Sequence, residues 1–189
     1  MKKIPTIFER DPEWPSRLLH AANPECGWVF KGQGVPRRKY DGTSCYVGNG
    51  QLYRRREVGL RTILPRGTII VDYGEVKETV IVWWPVDPSD PQDRWHCEAF
   101  DRGPIDGEPF RQGTYELVGE KINGNPENIS GHLLVRHDSA PIYHDVPRHY
   151  DGLREWLRGR DIEGLVFHHP DGRMAKVKKR DFNLPRKPE

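Results

Sequence analysis

Three short stretches of this 189-residue chain hold residue types that could do chemistry together. Lys39–Tyr40–Asp41–Gly42 places a lysine just ahead of an Asp-Gly turn and a β-prone segment. Glu163–Gly164–Leu165–Val166 opens a second apolar segment with a carboxylate, and Lys176–Val177–Lys178 follows it closely. Residues i and i+2 of a strand share a face, so Lys176 and Lys178 should point the same way. With Glu163 starting the preceding strand of the same hairpin, one carboxylate and two ammonium groups aim at a common volume. Gly164 there permits close backbone approach. Taken singly each piece is ordinary, and the first reads equally well as a turn after a basic strand. The runs Arg37–Arg38–Lys39, Arg54–Arg55–Arg56 and Lys176–Arg180 sit on a balanced chain of 30 basic and 28 acidic residues, net charge +2. Clusters on such a background suggest focused phosphate contacts, although any one run also reads as a solvated face.

The elements that must position these residues are mostly short. The 17 prolines and 19 glycines are scattered, which favours strands and loops over long helices. Thr43–Val47 and Gln51–Arg55 are β-prone and separated by Gly48–Asn49–Gly50, a hairpin signal. Thr68–Tyr73, Val76–Trp84, Trp95–Phe100, Thr114–Val118 and His132–Arg136 read as further strands. Gly164–His168 and Met174–Lys178 form a second hairpin across a Pro-Asp-Gly turn. The clearest helix is Asp151–Arg160, with Asp151 as its cap and Leu153, Trp156 and Leu157 on one face. Trp14–Leu19 suggests a short helix. The fold class is therefore α+β, one domain over residues 1–189, with residues 1–30 an N-terminal segment of unclear role and 183–189 a loose tail.

Taken together and in this order, the three stretches resemble the covalent nucleotidyltransferase superfamily of DNA ligases, RNA ligases and mRNA capping enzymes. Lys39–Gly42 resembles its nucleophile motif, Glu163–Val166 its fourth and Lys176–Lys178 its fifth. Gln51–Arg55 is similar to the segment supplying an arginine, with Arg55 the preferred match and Arg54 the fallback. Thr114–Gly119 resembles the ribose-binding motif of RNA ligases, which gives Glu116 that role; Val71–Val76, with Glu75, competes for it. The run from Thr114 through Lys121–Pro126, and that from Glu163–His169 to Lys176–Phe182, resemble the vertebrate 5′-to-3′ RNA ligase family and its microbial relatives.

The resemblance implies an ATP-grasp-like nucleotidyltransferase domain, two antiparallel sheets flanking an ATP cleft. DNA ligases and capping enzymes add an oligonucleotide-binding barrel after the fifth motif; so little chain follows Lys179 that none is expected here. Orienting the pyrophosphate would then fall to other groups, such as the N-terminal segment or Arg148. The implied activity joins 5′-phosphate and 3′-hydroxyl RNA ends through lysyl-AMP and RNA-adenylate. Its cofactors are ATP and Mg²⁺, with Mn²⁺ a substitute. In it Lys39 is the nucleophile and Asp41 orients it or helps organise the metal. Glu163 holds the metal, and Lys176 and Lys178 grip the α-phosphate. Arg55 adds a phosphate contact, and Arg38 is counted with the cofactor-binding residues and, with the other basic residues, could track a nucleic-acid backbone. A free lysine is almost wholly protonated at neutral pH, and nearby cations would lower that barrier.

Two alternatives stay open: an adenylyltransferase with a non-RNA acceptor, and a nucleic-acid-binding module that keeps the fold without the reaction. Cys26, Cys45 and Cys97 fit neither a zinc site nor a disulfide framework, so a reducing cytoplasm is the expected setting. No apolar stretch is long enough to span a bilayer, no signal core is evident, and no obligate protein partner is expected. His168 and His169 alternate across a strand and cannot both face one site. His132, His137, His144 and His149 lack a ligand spacing.

Overall fold

Glycine, proline and asparagine cut the chain into short pieces, and a computed structural model, describing residues 2–74, 78–104 and 107–187, shows how they assemble. In chain order they are β1 (Phe8–Arg10), β2 (Leu18–Ala22), α1 (Gly27–Phe30), β3 (Val35–Lys39), β4 (Thr43–Gly48), β5 (Gln51–Gly59), β6 (Ile69–Tyr73) and β7 (Thr79–Pro85). Then follow α2 (Arg94–Arg102), β8 (Gly113–Gly119), β9 (His132–Arg136), α3 (Tyr150–Arg158), β10 (Gly164–His168) and β11 (Met174–Lys178). The class is α+β with several antiparallel sheets and few helices, as the sequence indicated. The chain divides into two compact units, one drawn from Asp41–Ser139 and the other from Lys3–Tyr40 together with the segment from Ala140 onward.

The Asp41–Ser139 unit is built on a six-stranded sheet of order β6-β7-β5-β4-β8-β9, all neighbours antiparallel. The β4–β5 hairpin turns at Asn49 and Gly50, both with positive φ (52° and 73°), which is what a two-residue turn matched to strand twist requires. Alternation sends Cys45, Val47, Leu52, Tyr115, Leu117 and Leu134 to one face, where they pack with Ala99, Trp95 and Phe100 of α2. That helix corrects one expectation, since Trp95–Phe100 is not a strand. Aromatic content suggested β, but Trp95 and Ala99 lie one helical turn apart on the packed face. Asp90 also caps the 3-10 turn Pro91–Asp93 that leads into the helix, its side chain accepting from the Gln92 amide. Gly103, at φ 79°, ends it.

In the other unit, β10 is the centre of a three-stranded sheet, β11-β10-β3, antiparallel throughout. The second expected hairpin matches the observed strands residue for residue. Part of the N-terminal segment is core material here. Thr6 bridges Lys176 beside β11, β1 pairs with β2, and Ile7, Phe8, Trp28 and Val29 are buried with Leu153, Leu157, Phe167 and Val177. Each such side chain contributes about 1.5–3 kcal/mol. Trp14–Leu19 is no helix: a turn returns the Arg17 amide to the Trp14 carbonyl, and Leu18 begins β2. Helix α3 starts one residue earlier than expected, and its cap is His149, whose Nδ1 accepts from the Gly152 amide. Asp151 sits in the first turn, where its charge suits the helix dipole. The fully buried Lys179 donates to the carbonyls of Arg160 and Arg186, tying the chain at Arg186 to the segment that follows α3.

Candidate active site

The three-stranded sheet brings three lysines around one carboxylate. Its register sets Lys39 opposite Gly164 on one side and Lys178 opposite Gly164 on the other, with Glu163 immediately before. Gly164 has to be glycine: a Cβ there would lie 2.1 Å from the Val177 carbonyl oxygen and 2.8 Å from the Lys178 Cα. The strands therefore close tightly, and Glu163 receives an ammonium on each oxygen. Lys39 Nζ donates to Oε2 at 2.5 Å, and Lys178 Nζ donates to Oε1. Lys39 Nζ also donates to the Tyr40 carbonyl.

Burial pushes the Glu163 carboxyl up, but the charges and hydrogen bonds of Lys39 and Lys178 outweigh this and hold it below the usual carboxylate range. Lys176 shares the face of Lys178. Burial, then repulsion from Lys178 and Lys39, brings its ammonium down to about 8. The expected convergence of Glu163, Lys176 and Lys178 is thus observed, with Lys39 added to it. Arg38 is not brought in. Its position alternates to the opposite face of β3, where its guanidinium lies over the Tyr40 ring, 4.8 Å from the centroid.

The remaining expected residues lie in the Asp41–Ser139 unit. Asp41 Oδ1 accepts from Asn123 Nδ2 (3.0 Å), which also donates to the Gly42 carbonyl, and the Asp41 amide donates to Glu127 Oε1. The Lys121–Pro126 run thus holds the Asp-Gly turn, with Asn123 itself at positive φ (50°). A Cβ on Gly42 would meet the Leu117 carbonyl at 2.2 Å and Glu116 Cγ at 2.8 Å, so this glycine is required by the approach of β8.

Glu116 is buried, and its Oε2 is bonded to His137 Nε2 at 2.8 Å. Sequence spacing gave His137 no role, because its partners lie on a neighbouring strand. Arg54 and Arg55 separate cleanly. Arg54 lies on the face of Cys45 and its guanidinium pairs with Asp93 (2.8 Å) and Asp90 (3.3 Å), a structural task. Arg55 alternates to the face of Glu116. Glu75, the competing carboxylate, lies outside the described residues.

Arg148 is committed elsewhere, donating to the carbonyls of Val29, Gln33 and Gly34. His169 pairs with Asp171 and His132 with Glu98. Among the described residues no group of three or more His, Cys, Asp or Glu could hold a metal ion, and no helix is long and apolar enough to cross a membrane. A cavity of about 500 Å³ lined by Phe110, Arg111, Tyr115, Val135 and Arg136 holds none of the expected residues.

With this geometry in place, comparison with known proteins is informative. Residues 103–188 match the RNA ligase 1 family. The RNA ligase 1 of Pongo abelii is 35% identical over 79 residues, which is 38% of this chain and 24% of that protein. The RNA ligase 1 of Danio rerio is 26% identical over 131 residues, 54% of this chain and 40% of that protein. That of Rattus norvegicus is 32% identical over 79 residues, 38% and 24% respectively. The chain spans between a quarter and two-fifths of the length of these relatives. The resemblance to RNA ligases read from the motifs is therefore shown. The RNA ligase 1 family match contains Glu116, Glu163, Lys176 and Lys178, whereas Lys39, Asp41 and Arg55 precede it.

Proposed function

We propose that this chain is the adenylation domain of an ATP-dependent RNA ligase, on a nucleotidyltransferase fold, and that Lys39 carries the covalent nucleotide. The observation that carries the reading is the Lys39–Glu163–Lys178 cluster with Lys176 beside it. A structural ion pair needs one lysine; three around one carboxylate form a strongly cationic face suited to phosphate.

Lys39 first gives up its surplus proton through Glu163, the carboxylate bonded to it, to solvent. Its Nζ lone pair then attacks the α-phosphorus of ATP. A P–N bond forms, the P–O bond to the β-phosphate breaks, and pyrophosphate leaves. Lys176 and Lys178 hold the α-phosphate oxygens as charge shifts onto the leaving group. Glu163 is the carboxylate that would hold Mg²⁺. This ion typically takes one or two protein carboxylates with phosphate and water completing its shell, and bound there it would neutralise phosphate charge. In the next step a 5′-phosphate oxygen of RNA displaces Lys39 from the AMP phosphorus, and a 3′-hydroxyl then attacks that 5′-phosphate and releases AMP.

The test uses ATP labelled at the α-phosphate. Label retained on denatured wild-type protein but absent from Lys39→Ala supports the covalent adenylate, and release of that label on nicked RNA supports the ligase. Release only on proteins or small acceptors would make the chain an adenylyltransferase. No label at all, with pre-adenylation excluded by intact mass, would leave a binding module.

A further inference from the structure

Glu116 and Thr114 stand at i and i+2 of β8, on one face of the sheet. His137 begins the 3-10 turn directly after β9, and its ring turns back over them. Its Nε2 lies 2.8 Å from Glu116 Oε2 and its Nδ1 lies 2.9 Å from Thr114 Oγ1. The partners decide the tautomer of a neutral ring: Nε2–H donates to the carboxylate, and Nδ1 accepts the threonine hydroxyl. The imidazole is thus anchored at one nitrogen and fixes one carboxylate oxygen with the other.

Two polar groups beside it are left open. Among the described residues none donates to Glu116 Oε1, although Glu116 is only 7% exposed. Ser44, the register partner of Glu116 on β4, has a buried Oγ without a hydrogen-bond partner among them. Side chains directly opposite on adjacent strands stand roughly 5 Å apart at Cβ. A buried hydroxyl left unsatisfied is costly unless a ligand or water completes it, and here it stands beside a carboxylate oxygen that no described residue occupies. The ligand that fits is a pair of adjacent hydroxyls, one donating to Glu116 Oε1 and the other exchanging a hydrogen bond with Ser44 Oγ.

We propose that His137 is a positioning residue that holds Glu116, with Ser44 alongside, to receive the vicinal hydroxyls of a nucleotide sugar, the 2′-hydroxyl on Glu116 and the 3′-hydroxyl on Ser44. The proposal rests on the nucleotide-transfer reading above. It adds a residue that carries no phosphate chemistry and a preference for ribose over deoxyribose.

The experiment measures binding of ATP and of 2′-deoxy-ATP by calorimetry, and lysyl-adenylate formation against the concentration of each. Wild type, His137→Ala and His137→Gln are compared, with thermal melting as a check on folding. His137→Ala should weaken ATP binding about tenfold, the loss expected for one hydrogen bond to a charged group. It should raise the half-saturating ATP concentration for labelling similarly and leave the plateau unchanged. His137→Gln, whose amide can still donate to Glu116, should recover most of the loss. With 2′-deoxy-ATP all three proteins should agree within about twofold. Equal weakening for both nucleotides, no change with ATP, or no recovery by His137→Gln would overturn the proposal. Wild type that binds ATP with the expected variant pattern but forms no adenylate would refute the ligase reading and keep the sugar site.

Discussion

Glu163 meets an ammonium on each of its oxygens, and the third lysine of the cluster is the one that suffers from the arrangement. Lys176 is held at about 8 in the fold against an ordinary 10.5. Below pH 8 it is protonated in both folded and unfolded chains, so the fold carries the whole cost of crowding and burying that charge. As pH rises from 8 to 10.5 the folded form releases its proton before the unfolded form does, and the cost fades. Lys176→Met should therefore be more stable than wild type at pH 7, with the difference shrinking towards pH 10.5, as denaturant melts at both values would show. The same variant should lose adenylate formation, a stability gain at the expense of function. Gly164→Ala belongs to this scale too. The obstruction is backbone from β11, so the sheet must part, and a loss of about 1–3 kcal/mol in urea unfolding is expected. Sequence showed Lys176 and Lys178 beside Glu163 because i, i+2 alternation and a hairpin are local, whereas Lys39, 124 positions from Glu163, was tied to them only through motif resemblance. His137 was hidden because its two partners sit 21 and 23 residues back, on another strand.

Strands and turns were legible wherever one local rule decided them. The Asn49–Gly50 hairpin follows from two positive-φ positions, and β10 and β11 from apolar alternation bounded by a Pro-Asp-Gly turn. Helix α2 was misread because Trp95 and Phe100 favour strands, while the deciding residue, the capping Asp90, lies before the segment itself. The role of Arg54 could not be read for a related reason. Its partner Asp93, fully buried, is reached only once α2 packs on the face that Cys45 and Leu52 share. Arg54→Met should strand that carboxylate without a counter-charge and cost about 3–5 kcal/mol in urea unfolding.

At the scale of the molecule, the body of one unit runs from Asp41 to Ser139, and the other is assembled from the chain on both sides of that stretch. Residues 41–139 expressed alone should keep a cooperative thermal transition, since they carry their own sheet, helix and core. Deleting residues 1–30 should abolish folding of the other unit, because Ile7, Phe8, Trp28 and Val29 leave its core. Circular dichroism melts of the two fragments check both outcomes. The discontinuity also bears on how the protein is made. Lys39 and Glu163 are separated by 124 positions in sequence, so strand β3 leaves the ribosome long before β10 exists to pair with it. At about 5–20 residues per second the lysine waits roughly 6–25 s for its carboxylate. A nascent chain stalled anywhere before β10 therefore holds Lys39 without the strand that pairs with it, and on the reading proposed above such a chain should take up no label from α-labelled ATP.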